Sequence, residues 1–374
     1  MKMIPIFVAD RPFSLKILEG LTDYRDQFGI LSHAFTTDNF KKKFKGFPLT
    51  STRIGDSGIF QGRDSDYDYL FGEYLKMGVS HGIIKDYYRD PKKTLSSARE
   101  GMKVYRSDGY EGKFILIGVA QGSTVEEYIK SYIKQKQMGY EMVAIGGLLD
   151  KVEKHARMVK VRREDLLRDT LLKIKDKYPN DKLFPLGAFN RSRIGLFKDL
   201  GIWASDYKGW IFQYNIAESH LKQNRVEQTR NYIETEIFPM LNKKRLLLLS
   251  CSQTKRPGKG KAIEIYDGPA FRVVRKYLDI SNGLDVRIIS AKYGIISKDA
   301  LIEYYDEKLT PEKAADYRKR YSNEIKTLRS TYSDILIYGS STYQSVFKNV
   351  DINRTEGRIG EQLSQLKKWL YSGR

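Results

Sequence analysis

Cysteine and histidine are nearly missing from this chain. One cysteine, Cys251, in 374 residues excludes an intramolecular disulfide and any structural zinc site built on several thiolates. The four histidines, His33, His81, His155 and His220, have no ligand spacing and read as packing or surface residues, so no metal site and no cofactor are expected. Long apolar runs are missing too. No stretch approaches the length of a membrane span. The apolar start of the chain is too short for a signal peptide and is closed by Asp10-Arg11-Pro12. The expectation is a soluble, cytoplasmic protein with no membrane partner. Acids are under-represented: 46 Asp and Glu stand against 66 Lys and Arg, giving a net charge of +20 and a pI of about 9.6. A field of that sign attracts polyanions, nucleic acid first among them, and does not separate DNA from RNA. The alternative is that the excess lysine only solvates the surface.

What is present is a folded chain. Hydrophobic residues make up 41% and aromatics 12%, enough for real cores, and the length suits one large domain with a smaller one. Short apolar runs at 4–8, 30–35, 52–55, 81–85, 114–119, 142–145, 183–186 and 201–204 read as strands. Amphipathic segments at 67–77, 91–105, 125–138 and 164–177 read as helices between them. Strand and helix alternating eight times predict a (β/α)8 TIM barrel over residues 1–242, with an open doubly wound sheet as the alternative. Residues 219–238 read as a polar closing helix. A small α/β domain is expected at 243–374, with strands at 245–249, 285–290 and 335–338 and helices at 270–278, 311–331 and 361–370.

In such a barrel, function sits at the C-terminal ends of the strands. The residues expected there are Asp56, Asp86, Gln121-Gly122, Gly146-Gly147-Leu148 and Asp206. The stretch 54–62, I-G-D-S-G-I-F-Q-G, stands out, because an acid, a hydroxyl and flanking glycines at a strand end are costly choices for mere packing. Three carboxylates and an amide on one rim suit acid–base or nucleophilic chemistry at a sugar carbon. An oxocarbenium-like centre can be trapped by one carboxylate, while a second moves a proton.

The motifs D-S-G-I-F-Q at 56–61, I-I-K-D-Y-Y-R-D-P at 83–91, G-V-A-Q-G at 118–122 and I-G-G-L at 145–148 together resemble the tRNA-guanine transglycosylase superfamily. The resemblance covers roughly residues 1–215 and implies exchange of guanine for a free 7-deazaguanine base through a covalent intermediate. It implies Asp206, in W-A-S-D-Y, as the nucleophile on ribose C1′, with Asp199 as the alternative. Asp56 corresponds to the acid/base carboxylate; Asp86, Gln121, Gly122, Gly146, Gly147 and Leu148 to residues around the purine; and Ser57 and Phe60 to further contacts. The tRNA enzymes of the family carry a Cys/His zinc site that a single cysteine cannot build. The chain therefore looks closer to the branch that modifies DNA, found in phages and bacterial gene clusters. The expected partner is DNA, with tRNA as the alternative. Two other readings stay open: a non-catalytic base-binding module, and a plain glycosidase that removes the base without replacing it. The oligomeric state is not legible.

In the second domain, S-C-S-Q-T-K at 250–255 and S-A-K-Y-G-I-I at 290–296 resemble a small α/β family with C-S-x-T-K and S-A-K-Y-G motifs. The first is also similar to the C-S-x-x-K of archaeosine synthase, which implies Lys255 as an amine nucleophile and Cys251 as a pocket wall, with Lys292 a further candidate. The alternative is a strand-end loop that binds an anion or nucleic-acid backbone, assisted by a mobile glycine–lysine loop at 258–261.

Overall fold

The computed structural model describes residues 3–48, 52–148, 150–151, 159–160, 164–212, 223–279 and 284–372. The chain divides into two compact units, one of Met1–Arg191 with Ile202–Phe238 and one of Ser192–Gly201 with Pro239–Arg374. The second unit thus takes a segment from before the expected junction at 242/243.

Eight parallel strands make the first unit: β1 (Ile4–Val8), β2 (Gly29–His33), β3 (Thr52–Asp56), β4 (His81–Ile83), β5 (Ile115–Ala120), β6 (Met142–Ile145), β7 (Phe184–Pro185) and β8 (Ala204–Tyr207). Their spatial order is β8-β1-β2-β3-β4-β5-β6-β7. The two ends of that row also meet. Trp203 N–H donates to the Leu183 carbonyl at 3.1 Å, and Ser205 Oγ donates to the Pro185 carbonyl at 2.7 Å. The result is a (β/α)8 TIM barrel. Strands of this kind are covered on both faces and so read as continuous apolar runs; all four residues of β6 are buried.

The helices that follow the first six strands are α1 (Pro12–Glu19), α2 (Asp38–Gly46), α3 (Tyr67–Met77), α4 (Pro91–Ser107), α5 (Val125–Gln137) and α6 (Glu164–Lys177). Thr37, Asp66, Asp90 and Thr124 cap α2 to α5, each side chain accepting an N–H three residues on. Each cap contributes about 1 kcal/mol. Helix α3 buries Tyr67, Leu70, Phe71, Tyr74 and Met77, one face at helical spacing. Tyr74 lies across β3 and β4, where Gly55 and Gly82 make room; a Cβ on either would stand 2.5 Å from the ring. Its hydroxyl donates to the Ile83 carbonyl at 2.6 Å.

The last barrel strand differs from the expected 201–204. A short helix, Ile194–Asp199, precedes it, Gly201 turns the chain at φ 59°, and pairing with β1 begins only at Ala204. Asp206 is therefore inside a strand rather than beyond one. Of the expected helix 219–238, residues 219–222 lie outside the described residues. The remainder is a helix at Gln223–Tyr232 followed by a wider π-turn at Ile233–Ile237.

The second unit is a five-stranded sheet of β9 (Lys244–Ser250), β10 (Leu284–Ser290), β11 (Gly294–Ser297), β12 (Tyr332–Tyr338) and β13 (Asn353–Arg354), in the order β11-β10-β9-β12-β13. All pairs are parallel except β10–β11. Central β9 buries Leu246, Leu247, Leu248 and Leu249 completely. The pattern expected as one helix at 311–331 breaks at Tyr321 into Pro311–Arg320 and Ser322–Thr331. The glycine–lysine loop expected at 258–261 is instead a strand. Lys259–Lys261 pairs antiparallel with Leu301–Glu303, and its lysines face Glu303 and Asp299, each at 3.5 Å. Among the described residues, no helix is long and apolar enough to cross a membrane.

Candidate active site

The C-terminal ends of the barrel strands place Asp56 close enough to both Asp86 and Asp206 for its charge to raise their proton affinity. Asp56 is the last residue of β3, Asp86 follows β4, and Asp206 lies in β8. Asp86 is 1% exposed, whereas Asp56 and Asp206 keep a minor part of their surface open. Burial, then the charge of Asp56, pushes Asp86 up to about 7. Burial pushes Asp206 up to about 6, with Asp56 adding to the rise and the Gly187 N–H opposing it. Asp56 is raised by burial against the pull of His33, the N–H groups of Gly58 and Ser57, and Lys208. Three carboxylates share one poorly solvated space, so proton transfer near neutral pH is within their reach. Among the described residues no three His, Cys, Asp or Glu side chains could hold a metal ion; the aspartates are neighbours in charge without forming a chelate.

Around Asp86 the contacts are specific. Gln121, fully buried, donates from Nε2 to Asp86 Oδ2 at 2.7 Å and accepts the Arg89 N–H at Oε1 at 3.2 Å. Its NH2 group keeps one hydrogen beyond the Asp86 bond. Arg89 is the one described non-glycine residue with positive φ, at 54°. The Gly146-Gly147 pair lies against this amide. A Cβ on Gly146 would stand 2.5 Å from Gln121 Nε2 and 3.1 Å from Asp86 Oδ2, and Gly147 has φ 69°. Tyr128 fixes the loop by donating to the Gly146 carbonyl at 2.8 Å. Leu148 is buried at 3%. Gly122 lies away from the amide and lets the loop pack on the start of α5, where a Cβ would meet the Tyr128 nitrogen at 2.8 Å.

At the other side of the mouth, Asp206 Oδ1 accepts the N–H of Gly187, from the loop after β7. Ser57 is 2% exposed, and its Oγ has no partner among the described residues. Phe60 lies on a short 3-10 turn at the rim and is 43% exposed. Asp199, the alternative nucleophile, is not at this mouth. It is 1% exposed within the second unit, where it accepts from Arg245 Nη1 at 2.6 Å and from the Tyr277 hydroxyl at 2.8 Å. Such a carboxylate is a structural counter-ion.

Three groups at the mouth have no counterpart among the residues expected from sequence. His33 pairs in register with Asp56, is held neutral chiefly by burial, and has a buried Nδ1 with no partner among the described residues. Lys208 lies 3.6 Å from Asp10. The Gly187 N–H has no side-chain signature at all. Lys208 could have been found from position, since it lies two residues after the in-strand Asp206, whereas His33 meets Asp56 only through the cross-strand register of β2 and β3.

Cys251, Lys255 and Lys292 belong to the second unit. The Cys251 thiol lies 3.1 Å from the Tyr343 hydroxyl. The Lys255 ammonium sits over the Tyr305 ring at 4.5 Å, and exposed Lys292 is 5.4 Å from the Tyr293 ring.

Comparison with known proteins adds little to this geometry. Residues 246–368 match a family of unknown function, DUF6884. No curated protein matches the chain. Among solved structures, the chain is similar to the YdjI aldolase from Escherichia coli K12, with 10% identity over 63% of this chain and 88% of that one and a TM-score of 0.42. It is likewise similar to 2,3-dimethylmalate lyase, a PEP mutase/isocitrate lyase superfamily member, with 10% identity over 61% and 83% and a TM-score of 0.41. Likenesses this remote carry no argument about chemistry.

Proposed function

We propose that the barrel is a guanine transglycosylase that exchanges guanine in DNA for a free 7-deazaguanine base. The observation that carries the reading is the pairing of two constellations at one mouth. Asp86 with Gln121 and the glycine pair makes a polar slot for a planar base, and Asp206 beside Asp56 makes a nucleophile and a proton carrier. In the proposed reaction an Asp206 oxygen bonds to C1′ as the C1′–N9 bond breaks, and the departing guanine takes a proton from Asp56. The incoming base gives its N9 proton to Asp56, and its nitrogen then displaces Asp206 from C1′. The Gly187 N–H supports Asp206 as the attacking carboxylate by orienting one of its oxygens.

Asp86 suits the N1–H and N2–H2 donors of guanine, and the spare Gln121 hydrogen or the Gly147 N–H suits O6. Duplex DNA must surrender the target base from its stack, at a few kcal/mol. The net charge of +20 suits retention of the backbone meanwhile.

Incubation of the protein with labelled guanine or 7-cyano-7-deazaguanine, and with either duplex DNA or tRNA, tests this. Label entering DNA, and lost in Asp206→Asn, is the expected result. Label entering tRNA alone would keep the chemistry and overturn the polymer. Abasic sites without incorporation would reveal a hydrolase. No product from folded protein that still binds DNA would leave a binding module.

A further inference from the structure

The second unit carries a cavity of its own. In its sheet, β9 lies at the centre, the next strand in the chain, β10, pairs on one side, and β12 pairs on the other. Connections leaving a central strand in opposite directions open a crevice at its carboxyl end, the place where open α/β sheets hold ligands. A cavity of about 240 Å³ occupies that position, walled by the residues after β9 and by Tyr343 beyond β12. Its volume suits a small molecule rather than a polymer.

Its chemistry is one-sided. Lys255 is partly buried and has no carboxylate partner among the described residues; its ammonium lies over the rings of Tyr305 and Tyr266 at 4.5 and 6.0 Å. Lys308 adds a second ammonium at the rim, also without an acidic partner among the described residues. Of the two rim acids, Glu307 is engaged by Lys313 at 3.0 Å, which leaves Asp306 alone against two lysines. The phenols behind the cavity form a closed hydrogen-bonded group. Tyr266 and Tyr305 share a bond of 2.6 Å, and Ser290 lies 3.0 and 2.8 Å from them. Burial, and after it the neighbouring Cys251, holds Tyr305 and Tyr343 as neutral phenols, so neither adds a negative charge that would repel an anion. The Cys251 thiol faces the same space, 3.1 Å from the Tyr343 hydroxyl.

We infer that this cavity binds a small oxyanion, a carboxylate or a phosphate group, on Lys255, with the Cys251 thiol lying beside the bound molecule. The site is separate from the chemistry proposed for the barrel and stands or falls without it.

Because Cys251 is the chain's single cysteine, alkylation of the whole protein reads this cavity alone. Iodoacetate carries the anion and iodoacetamide does not. With the ratio of their rates on the guanidinium-unfolded chain as reference, the folded protein should favour iodoacetate by about tenfold. Lys255→Gln should abolish the preference, Lys255→Arg should keep it, and Lys259→Gln, whose lysine faces Glu303, should leave it unchanged. Inorganic phosphate and acetate should protect Cys251 saturably, and whichever saturates at lower concentration identifies the group preferred. A rate ratio equal to that of the unfolded chain overturns the inference. Protection by an oligonucleotide but by neither small anion also overturns it, in favour of a backbone-binding groove. Should Lys255→Gln not fold, the wild-type ratio and the protection curves decide alone.

Discussion

In the proposed reaction Asp206 is the nucleophile, and its environment sets a pH dependence. An unfolded aspartate titrates near 3.8, whereas burial holds this one at about 6 in the folded chain. Between those values the folded protein keeps a proton that the unfolded chain has released. The stabilising contribution of this group is therefore complete below pH 4 and is lost as pH rises through about 6. Asp206→Asn removes the loss while leaving an oxygen to accept the Gly187 N–H. Denaturant titration should find the variant more stable than wild type at pH 7.5, on the order of 1–3 kcal/mol, with the gap closing towards pH 4. His81, pushed down to about 4 by burial, tilts the raw curve the other way, so the difference between proteins is the proper readout. A constant gap at both pH values would mean that the carboxylate is well solvated. If exchange runs through Asp206 as proposed, kcat/KM should show a rising limb with increasing pH, centred at about 6.

Elements were legible wherever burial and periodicity agreed, and illegible wherever function interrupts them. Helix α3 could be read to its ends because its apolar face, Asp66 cap and Gly78 terminus coincide. Strand β8 was expected too early because Ile202-Trp203-Ala204 looks like the strand, whereas Ser205 and Asp206 are polar residues whose side chains bond backbone groups of β7 and the loop after it. Strand β7, expected at 183–186, is there but pairs over only Phe184–Pro185. Strand β11 pairs antiparallel with β10 along its length, from Gly294 against Ser290 to Ser297 against Arg287, and was missed because the turn after Ser290 reads as a loop. At the mouth, Asp56, Asp86 and Gln121 were found from side-chain chemistry. A lone histidine and a backbone N–H carried no such signal. The glycine pair after β6 gives an element-scale test. Gly146→Ala would force the buried Gln121 amide to move, and exchange should fall by about 10²-fold in kcat/KM. Gly72→Ala on α3, where a Cβ meets nothing within 4 Å, is the control. It should leave exchange intact and raise stability by about 0.5–1 kcal/mol. Equal activity in both variants would remove the glycine pair from the base slot.

For the whole molecule, the charge of +20 is the broadest property, and salt is its probe. If the protein neutralises six or more phosphates of a duplex, affinity should fall by about 10³-fold or more between 50 and 200 mM salt. A loss under about tenfold would mean that the lysines are dispersed rather than gathered on a nucleic-acid track. The barrel's closure has a consequence in time. Asp56, Asp86, Gln121 and the glycine pair are all synthesised before the loop of Gly187 and the strand of Asp206. In the proposed reaction the base-slot residues therefore leave the ribosome before the nucleophile, which takes its place only when β8 pairs with β1. On the proposed reading that seam joins recognition to reaction, and loosening it should leave a protein that still holds its base and does nothing to it.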